Sequence, residues 1–346
     1  MILPFMIRLR AIQRFAAAPK RKTKLRFSAL AAAVCLSMAS SFGGAVGQEF
    51  PSRTVRIIVP FPAGGVPDIL ARILAQGLSE KWGHAVVVEN RAGANTNLGA
   101  AHVARSAPDG YTLLFTTDGT FILNPILYAN LPYSMSDLSP VTLVASSAHA
   151  LAVAKTLPVK SVDEFVALAK QKPQQLSYGT SGPASIQRIA MELFSRTKGI
   201  ELLHVPYKGS GETMTALVAG DISATINGGI NIFPLKDDGS IKPLAVATVT
   251  RSRFAPELPT MQEAGVPGFS SQGLSGLFAP AGTPAEIRNK LHSDVVSLLA
   301  RPAVKQALEK SFFEIQGKNA DEFRDIIRIE SEKWRRVITE ASIKIE

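Results

Sequence analysis

The sequence predicts an α/β protein of two lobes, each built on a mainly parallel β-sheet. Strand and helix patterns alternate along the chain, and the alternation stops at a proline-rich passage and then restarts. Helical patterns of about 10 to 15 residues between strands are typical of right-handed crossovers, which place neighbouring strands parallel. About 300 residues are enough for two domains of ordinary size.

Residues 1–47 are predicted to be a cleaved signal peptide and take no part in the fold. Eight basic residues lie within the first 26, and the apolar run 25–38 is short for a bilayer core of about 30 Å. Ala45-Val46-Gly47 fits a small-x-small cleavage pattern, so cleavage is expected near Gly47, with Ala39 and Ala45 as competing sites. A retained membrane anchor is the alternative.

Removal of this leader changes the charge of the protein. The leader holds eight of the 38 lysines and arginines and none of the 28 acidic residues, so a net charge of +10 becomes +2. The remainder lacks the basic excess typical of nucleic-acid-binding proteins, and no nucleic-acid partner is expected. The single cysteine, Cys35, also lies in the leader, which excludes disulfides, cysteine nucleophiles and thiolate metal sites from the rest.

The first α/β unit follows from the order of apolar runs after the leader. A β-branched run at 54–59 is typical of a strand, and a helical pattern follows it at 69–78. A strand at 85–88, a helix at 98–104 and a strand at 111–115 continue the alternation.

The second unit begins with a strand at 150–153 and a helix that starts at the capping box Ser161-Val162-Asp163-Glu164. Strands at 176–179, 200–205, 222–226 and 244–249 then alternate with helices at 186–194 and 212–218. From Pro284 the chain is predicted to be helical, with Trp334 and Ile338 on a last amphipathic stretch. These helices need a sheet to cover, so we expect them to return to the first lobe.

Three loops that each lie between a strand and a helix are candidate binding sites, because ligands of open parallel sheets bind beyond the carboxyl ends of strands. The first is 62–68, where Gly64 and Gly65 let the backbone approach a ligand and Pro67 suits a first helical turn. The others are the hydroxyl-rich segments 116–120 and 180–188. Each alone is compatible with an ordinary turn, but three favour an anion site, since helix N-termini attract a carboxylate by roughly 0.3–1 kcal/mol.

Catalytic and metal-binding motifs are not found in the sequence. There is no phosphate-binding glycine pattern in a strand-to-helix turn and no serine-nucleophile elbow. The five histidines, His84, His102, His149, His204 and His292, lack the spacing of metal ligands. We therefore expect no enzyme activity, no cofactor and no metal. A Ser/His pair that only folding brings together is the remaining catalytic alternative.

An ordered series of motifs runs through the chain after the leader: 50–52 (Phe-Pro-Ser), 58–65 with Asp68, 88–94, 107–114, 131–133, 204–209 and 280–284. Over nearly this whole length the sequence resembles the tripartite tricarboxylate transporter solute-binding proteins, the TctC or Bug family. The resemblance implies a periplasmic-binding-protein-like Venus flytrap fold, with a hinge that the chain crosses twice. Lobe one is expected at 48–148 plus 250–346, and lobe two at 149–249.

The resemblance also implies a function. The protein is expected to be a monomeric periplasmic receptor that captures a small carboxylate and delivers it to a membrane permease of one large and one small subunit. A periplasmic sensor that presents the carboxylate to a membrane signalling kinase is the alternative, and the sequence does not separate the two.

Carried onto this chain, the resemblance places ligand contacts in both lobes. Lobe one is expected to supply Ala63, Gly64, Gly65, Asp68, Thr117, Asp118, Gly119 and Thr120. Lobe two is expected to supply Ser181, Gly182, Ser185 and Asn227.

Three departures from the family pattern bear on the ligand. Many members read Asn-Gly-Ser followed by a histidine where this chain has Pro183-Ala184-Ser185 and Arg188, and an aspartate is common where Asn227 stands. Loss of the acid removes a partner for a substrate ammonium, whereas Arg188 is a possible cation for a carboxylate. Arg188 pointing to solvent is the alternative. These differences favour a dicarboxylate without an amino group.

Overall fold

The computed structural model describes residues 50–182 and 184–343, and the predicted signal peptide lies outside the described residues. Strands and helices alternate at the start, as predicted: β1 Val55–Val59, α1 Val66–Trp82, β2 Val86–Asn90, α2 Asn97–Ala104 and β3 Thr112–Thr117. A π-helical turn at Gly119–Leu123 and the short helix α3, Asn124–Leu127, follow. A 3-10 turn at Met135–Asp137 then leads into the 17-residue strand β4, Leu138–Ala154.

The second half continues with α4 Val162–Gln171, β5 Ser177–Thr180, α5 Ile186–Lys198, β6 Leu203–Pro206, α6 Ser210–Ala219, β7 Ala224–Gly228, α7 Gly229–Asp237 and β8 Ile241–Val246. The chain then forms β9 Gln272–Pro280, α8 Ala285–Leu299, α9 Pro302–Lys310, β10 Phe313–Lys318 and α10 Ala320–Glu340. Ser161 caps α4 as predicted, because its hydroxyl accepts the N–H of Glu164.

Two sheets share the strand β4. The first has the order β2-β1-β3-β9-β4-β10, and the second has the order β8-β4-β7-β5-β6. Along β4 the partner changes between two consecutive residues, since Ala148 pairs with Gln272 of β9 and His149 pairs with Gly228 of β7. The chain passes between the sheets in β4 and again between β8 and β9. This is the predicted double crossing.

Both sheets are mixed, whereas the alternating pattern predicted mainly parallel ones. Strands β2, β1 and β3 are parallel, as are β6, β5 and β7, but β4, β8, β9 and β10 pair antiparallel. The extra strands β9 and β10 were not predicted. They arise where the chain returns to the first sheet, and a segment that returns beside β4 from the opposite direction has to pair antiparallel with it.

The last helix covers more than the first lobe, to which it was predicted to return. At about 1.5 Å per residue its 21 residues span about 31 Å. It packs on β4, on the π-helical turn and also on α5 of the second sheet. Its residues Phe323 and Trp334 lie in one hydrophobic cluster with Phe165 and Phe194 of the second lobe. The helix therefore ties the two lobes together along one face.

The retained membrane anchor considered above falls on residues 1–47, which lie outside the described residues. Between residues 50 and 343, leaving out residue 183, no helix combines the length and the apolar character needed to cross a bilayer.

Candidate ligand-binding site

The strand directions turn the carboxyl ends of the parallel strands in one lobe toward those in the other. Strand β3 runs in the same direction as β4, and it ends at Thr117, level with Ser275 of β9 and so with Ala145 of β4. Strand β7 runs in the opposite direction and ends at Gly228, level with His149. Four residues of β4 separate the two levels, which is about 13 Å at about 3.3 Å per residue. The loops after β1, β2 and β3 therefore face those after β5, β6 and β7.

The loop after β1 exposes its backbone, so that a ligand can contact it. Gly64 has a φ of +82°, a conformation that favours glycine, and it is exposed together with Ala63. Gly65 precedes α1, and no side chain caps the start of this helix. Its first N–H groups thus remain available to an anion.

Asp68 supports this loop from below. Its side chain is 2% exposed, and its two oxygens accept hydrogen bonds from the Gly64 N–H (2.9 Å), the Arg72 guanidinium (2.9 Å) and the Asn90 amide (2.9 Å). Burial raises the pKa of Asp68, but the hydrogen bonds from Arg72, Gly64 and Asn90 outweigh it and lower the pKa to about 2. The structure therefore places this predicted ligand contact beneath the loop, as an ionised group that fixes the conformation of Gly64.

The loop after β3 contains a buried carboxyl group. Asp118 is 8% exposed, and its Oδ1 accepts the N–H of Gly119 at 2.9 Å. Burial raises the pKa of Asp118 to about 7, against the opposing effect of hydrogen bonds from the N–H groups of Gly119 and Leu274. The carboxyl group is thus close to half protonated at neutral pH.

Thr120 lies behind the same loop and is fully buried. Its hydroxyl is hydrogen bonded to Thr116 and donates to Thr96, and its carbonyl accepts the hydroxyl of Tyr133 at 2.8 Å. The half-buried residues Thr117 and Gly119 are the predicted contacts of this loop that remain accessible.

A loop that sequence reasoning did not select follows β2. Gly93, Ala94, Asn95 and Thr96 all have positive φ, between +46° and +135°. The buried amide of Asn124 holds them, since it donates to the Asn95 carbonyl at 2.7 Å and accepts from the Asn95 amide at 2.9 Å. The run Gly-Ala-Asn after a strand was the available signal, because glycine and asparagine tolerate this conformation best.

The loop after β5 is closed by its own hydroxyl groups. Ser185 caps α5, accepting the Arg188 N–H and donating to the Gly182 carbonyl at 2.7 Å. Thr180 donates to the same carbonyl at 3.1 Å, and Ser181 donates to Gln187 at 3.0 Å. Ser181, Gly182 and Ser185 are half-buried at the end of the strand, as predicted for a strand-end loop.

Arg188 lies against aromatic side chains of the second sheet. It is hydrogen bonded to Tyr178, and its charge helps burial to lower the pKa of His204. Its Nε atom is buried. The residue as a whole is half-buried, so whether Arg188 serves as the cation for a carboxylate stays a prediction.

Asn227 ends β7 and carries a donor that is not used within the protein. The residue is 1% exposed, and its Oδ1 accepts the Gly228 N–H at 2.8 Å and the Asn231 amide at 3.0 Å. Its buried Nδ2 has no hydrogen-bond partner among the described residues. Helix α7 begins directly after it, again without a side-chain cap.

Metal ions have no clustered ligands in the described part of the chain. Across 50–182 and 184–343, no three or more histidine, cysteine, aspartate or glutamate side chains come close enough together to hold a metal ion. The polar groups of the strand-end loops are instead suited to bind an anion through N–H and O–H groups.

Comparison with known proteins identifies relatives over most of the chain. The tripartite tricarboxylate transporter family receptor profile, TctC, matches residues 70–343. A protein of the tcbD–tcbE intergenic region of Pseudomonas sp. strain P51 is 33% identical over 316 residues, covering 89% of this chain and 93% of the relative. Protein BugT of Bordetella pertussis is 32% identical over 306 residues, covering 86% and 92%.

Solved structures give the same result. Rpa4515 of R. palustris, determined with adipate, has a TM-score of 0.78 and 36% identity, covering 86% of this chain and 99% of that one. MatC from Rhodopseudomonas palustris, determined with bound malate, has a TM-score of 0.73 and 30% identity, covering 84% and 100%. The periplasmic binding protein BugD has a TM-score of 0.74 and 28% identity, covering 86% and 100%. The predicted two-lobed fold of periplasmic binding proteins is confirmed.

Proposed function

Because the chain belongs to the tripartite tricarboxylate transporter receptor family, we propose that it binds a small dicarboxylate between its lobes and delivers it to a membrane permease of one large and one small subunit. The family is one of solute-binding receptors and not of enzymes, and its members are periplasmic binding proteins. Two structural neighbours were determined with carboxylates, adipate and malate, which supports a carboxylate as the ligand.

The observation that carries the preference for a dicarboxylate is the unpaired amide of Asn227. A buried N–H donor without an acceptor favours a ligand oxygen over an ammonium group. Asp68, which is ionised beneath the first loop, has both oxygens engaged within the protein, so it does not offer a partner for an ammonium. The uncapped N-termini of α1 and α7 add positive partial charge from both lobes.

A thermal-shift comparison of adipate, malate and glutamate tests this function. A ligand at about 100 times its Kd stabilises the folded state by about 2.7 kcal/mol, which corresponds to a rise in Tm of roughly 4 °C for a chain of about 300 residues. We expect such a rise with at least one of the two non-amino dicarboxylates and a smaller one with glutamate. A rise with glutamate alone would contradict the preference, and no rise with any of the three would contradict the proposed function.

We also propose that the chain is exported to the periplasm after cleavage near Gly47, and that its lobes comprise 48–148 plus 250–346 and 149–249. The change of partner of β4 between Ala148 and His149 supports these boundaries. N-terminal sequencing of the protein from a periplasmic fraction is expected to start near Gln48. A chain that retains Met1 would rule out the cleaved leader.

A further inference from the structure

We propose that Phe312, in the turn between α9 and β10, is a latch that holds the two lobes apart, and that ligand binding has to break its contact with Phe233 of α7. The proposal rests on the proposed function, in which the ligand binds between the lobes. It concerns the equilibrium between arrangements of the lobes and adds no ligand contact to the candidate site.

The strand-end loops of the two lobes are apart in this structure. A Cβ atom built on Gly64, Gly65 or Gly119 of the first lobe would have no atom of the described second lobe within 4 Å. A Cβ atom on Gly182 or Gly209 of the second lobe would likewise have no atom of the described first lobe within 4 Å. We expect a small ligand that contacts both lobes to draw these loops together by hinge closure.

The two faces of the molecule join the lobes differently. On the face that α10 covers, one hydrophobic cluster runs through both lobes and includes Phe278 of β9 and Phe194 of α5. On the opposite face, the cluster beneath α1 and α8 in the first lobe is separate from the cluster beneath α6 and α7 in the second. A rotation of the lobes that preserves the packing beneath α10 therefore has to change the contacts on the opposite face.

On that opposite face, Phe312 of the first lobe packs against the cluster of the second, and Ile230 of α7 packs against the cluster of the first. The ring of Phe312 makes edge-on contacts with the rings of Phe233 and Phe254, at 5.5 and 5.6 Å between centroids. This separation and orientation are favourable for aromatic pairs. Phe312 thus lies between a helix of the second lobe and the segment that joins β8 to β9.

The backbone of Phe312 is strained. Its φ is +59°, a left-handed conformation that is uncommon for a bulky residue and that glycine or asparagine adopts more easily. Its N–H donates to the Glu309 carbonyl at 2.9 Å and so closes the turn after α9. Strain of this kind persists where surrounding contacts over-determine the conformation. The contacts of the ring with Phe233 and Phe254 are those that compensate it.

An ion pair fixes one side of the latch to the first lobe. The guanidinium of Arg253 donates to Oε1 of Glu309 in α9 at 2.7 Å, and its carbon lies 4.6 Å from the centroid of the Phe254 ring. Both side chains are partly exposed, so the pair contributes little stability by itself, but it holds the segment of Phe254 against α9. The contact that closure has to change is therefore that between Phe312 and Phe233.

The test uses Phe312→Asn, because asparagine accepts the left-handed backbone and lacks the ring. By calorimetry we expect the Kd for adipate to fall about fivefold, since the apparent affinity rises with the fraction of molecules that are closed. By small-angle scattering, the radius of gyration of the ligand-free variant is expected to be smaller than that of the ligand-free wild type.

Phe50→Asn is the matched control. The ring of Phe50 also makes edge-on contacts with two aromatic rings, those of Trp82 at 6.0 Å and Tyr111 at 5.1 Å, but all three lie in the first lobe. This variant is expected to change neither the Kd for adipate nor the radius of gyration.

Two more variants separate the latch from a general loss of packing. Phe312→Gly also removes the ring without adding strain and is expected to act as Phe312→Asn does. In a Phe233→Leu background, Phe312→Asn is expected to have no further effect on the Kd, because the shared contact is already lost.

An unchanged or larger radius of gyration in both variants of Phe312 would overturn the latch, and so would adipate binding no tighter than that of the wild type. If the wild type binds neither adipate nor malate, the proposed function fails. The ligand-free radius of gyration still decides the latch in that case, because it does not depend on the identity of the ligand.

Discussion

Asp118→Asn is expected to stabilise the protein increasingly as the pH rises, by about 4 kcal/mol more at pH 8 than at pH 4. Burial raises the pKa of Asp118 from 3.8 to about 7, and a pKa difference of one between the folded and unfolded states corresponds to about 1.4 kcal/mol. A raised pKa means that the folded protein binds the proton more tightly than the unfolded chain. The stabilising effect of this proton is complete below about pH 4 and is lost as the pH rises to about 7. Asparagine does not ionise, so the variant avoids the loss.

A second buried group, His149, has a pKa shift of the opposite sign and also contributes to the pH dependence of stability. Burial, aided by the charge of Lys333, lowers the pKa of His149 to about 4. Its contribution to stability is present above about pH 6.5 and is lost as the pH falls toward 4. In the wild type the two groups therefore oppose each other between about pH 4 and pH 6.5. In Asp118→Asn only the contribution of His149 remains, so the free energy of unfolding is expected to rise with pH between about pH 4 and pH 6.5.

Urea unfolding of both proteins between pH 4 and pH 8 measures this difference. Asp163→Asn provides the matched control, because its side chain is 80% exposed and paired only at 3.7 Å with Lys198. An exposed pair of this kind contributes at most about 1 kcal/mol. Parallel stability curves for Asp118→Asn and the wild type would show that Asp118 is ionised normally in the folded protein.

Asn227→Asp is expected to weaken adipate binding by at least a hundredfold at pH 8. The change leaves an oxygen that can accept from Gly228 and Asn231, but it replaces the free amide donor by a second carboxylate oxygen. A hydrogen bond to a charged group contributes about 1.5–3 kcal/mol. Two like charges at about 4 Å repel by roughly 4 kcal/mol at an effective dielectric constant of 20. Each effect exceeds the roughly 1.4 kcal/mol of a tenfold change, and together they exceed the roughly 2.8 kcal/mol of a hundredfold change.

Asn227→Ala separates the two effects in the same calorimetric experiment. It removes the donor without adding a charge, so we expect about a tenfold loss of adipate affinity. With Asn227→Asp, glutamate should gain relative to adipate, because the new acid can pair with its ammonium. Equal adipate affinity in Asn227→Asp and the wild type would place Asn227 outside the site.

The sequence predicted those elements that local composition determines. The segment from β1 to α1 was recognised because a β-branched run, a Gly-Gly turn and a proline at the start of a helix occur in succession. Strand β10 was missed because residues 313–318 form a strand only by pairing with β4, where Phe313 lies opposite Ser147. A pairing over such a distance leaves no local signal.

For the candidate site, the sequence predicted the positions of the loops but not the partners of their side chains. Strand-end loops with glycine and hydroxyl groups were located correctly at the carboxyl ends of β1, β3 and β5. The sequence did not show which side chains are engaged within the protein, because their partners are set by folding. Asp68 is one example, since Asn90 comes from the next strand, and Thr120 is another, since Thr96 comes from the preceding loop. Which of these residues contact the ligand stays a prediction.

The shared strand β4 also affects when the two sheets can form during synthesis. The second sheet is built from consecutive residues between 149 and 246, whereas β3 of the first sheet pairs with β9 through Leu114 and Phe278. The edge of β3 therefore lacks its neighbour until the last quarter of the chain has been made, and pairings so distant in sequence form slowly. The first sheet can therefore be completed only after β9 has been made, whereas the strands of the second sheet are all available earlier.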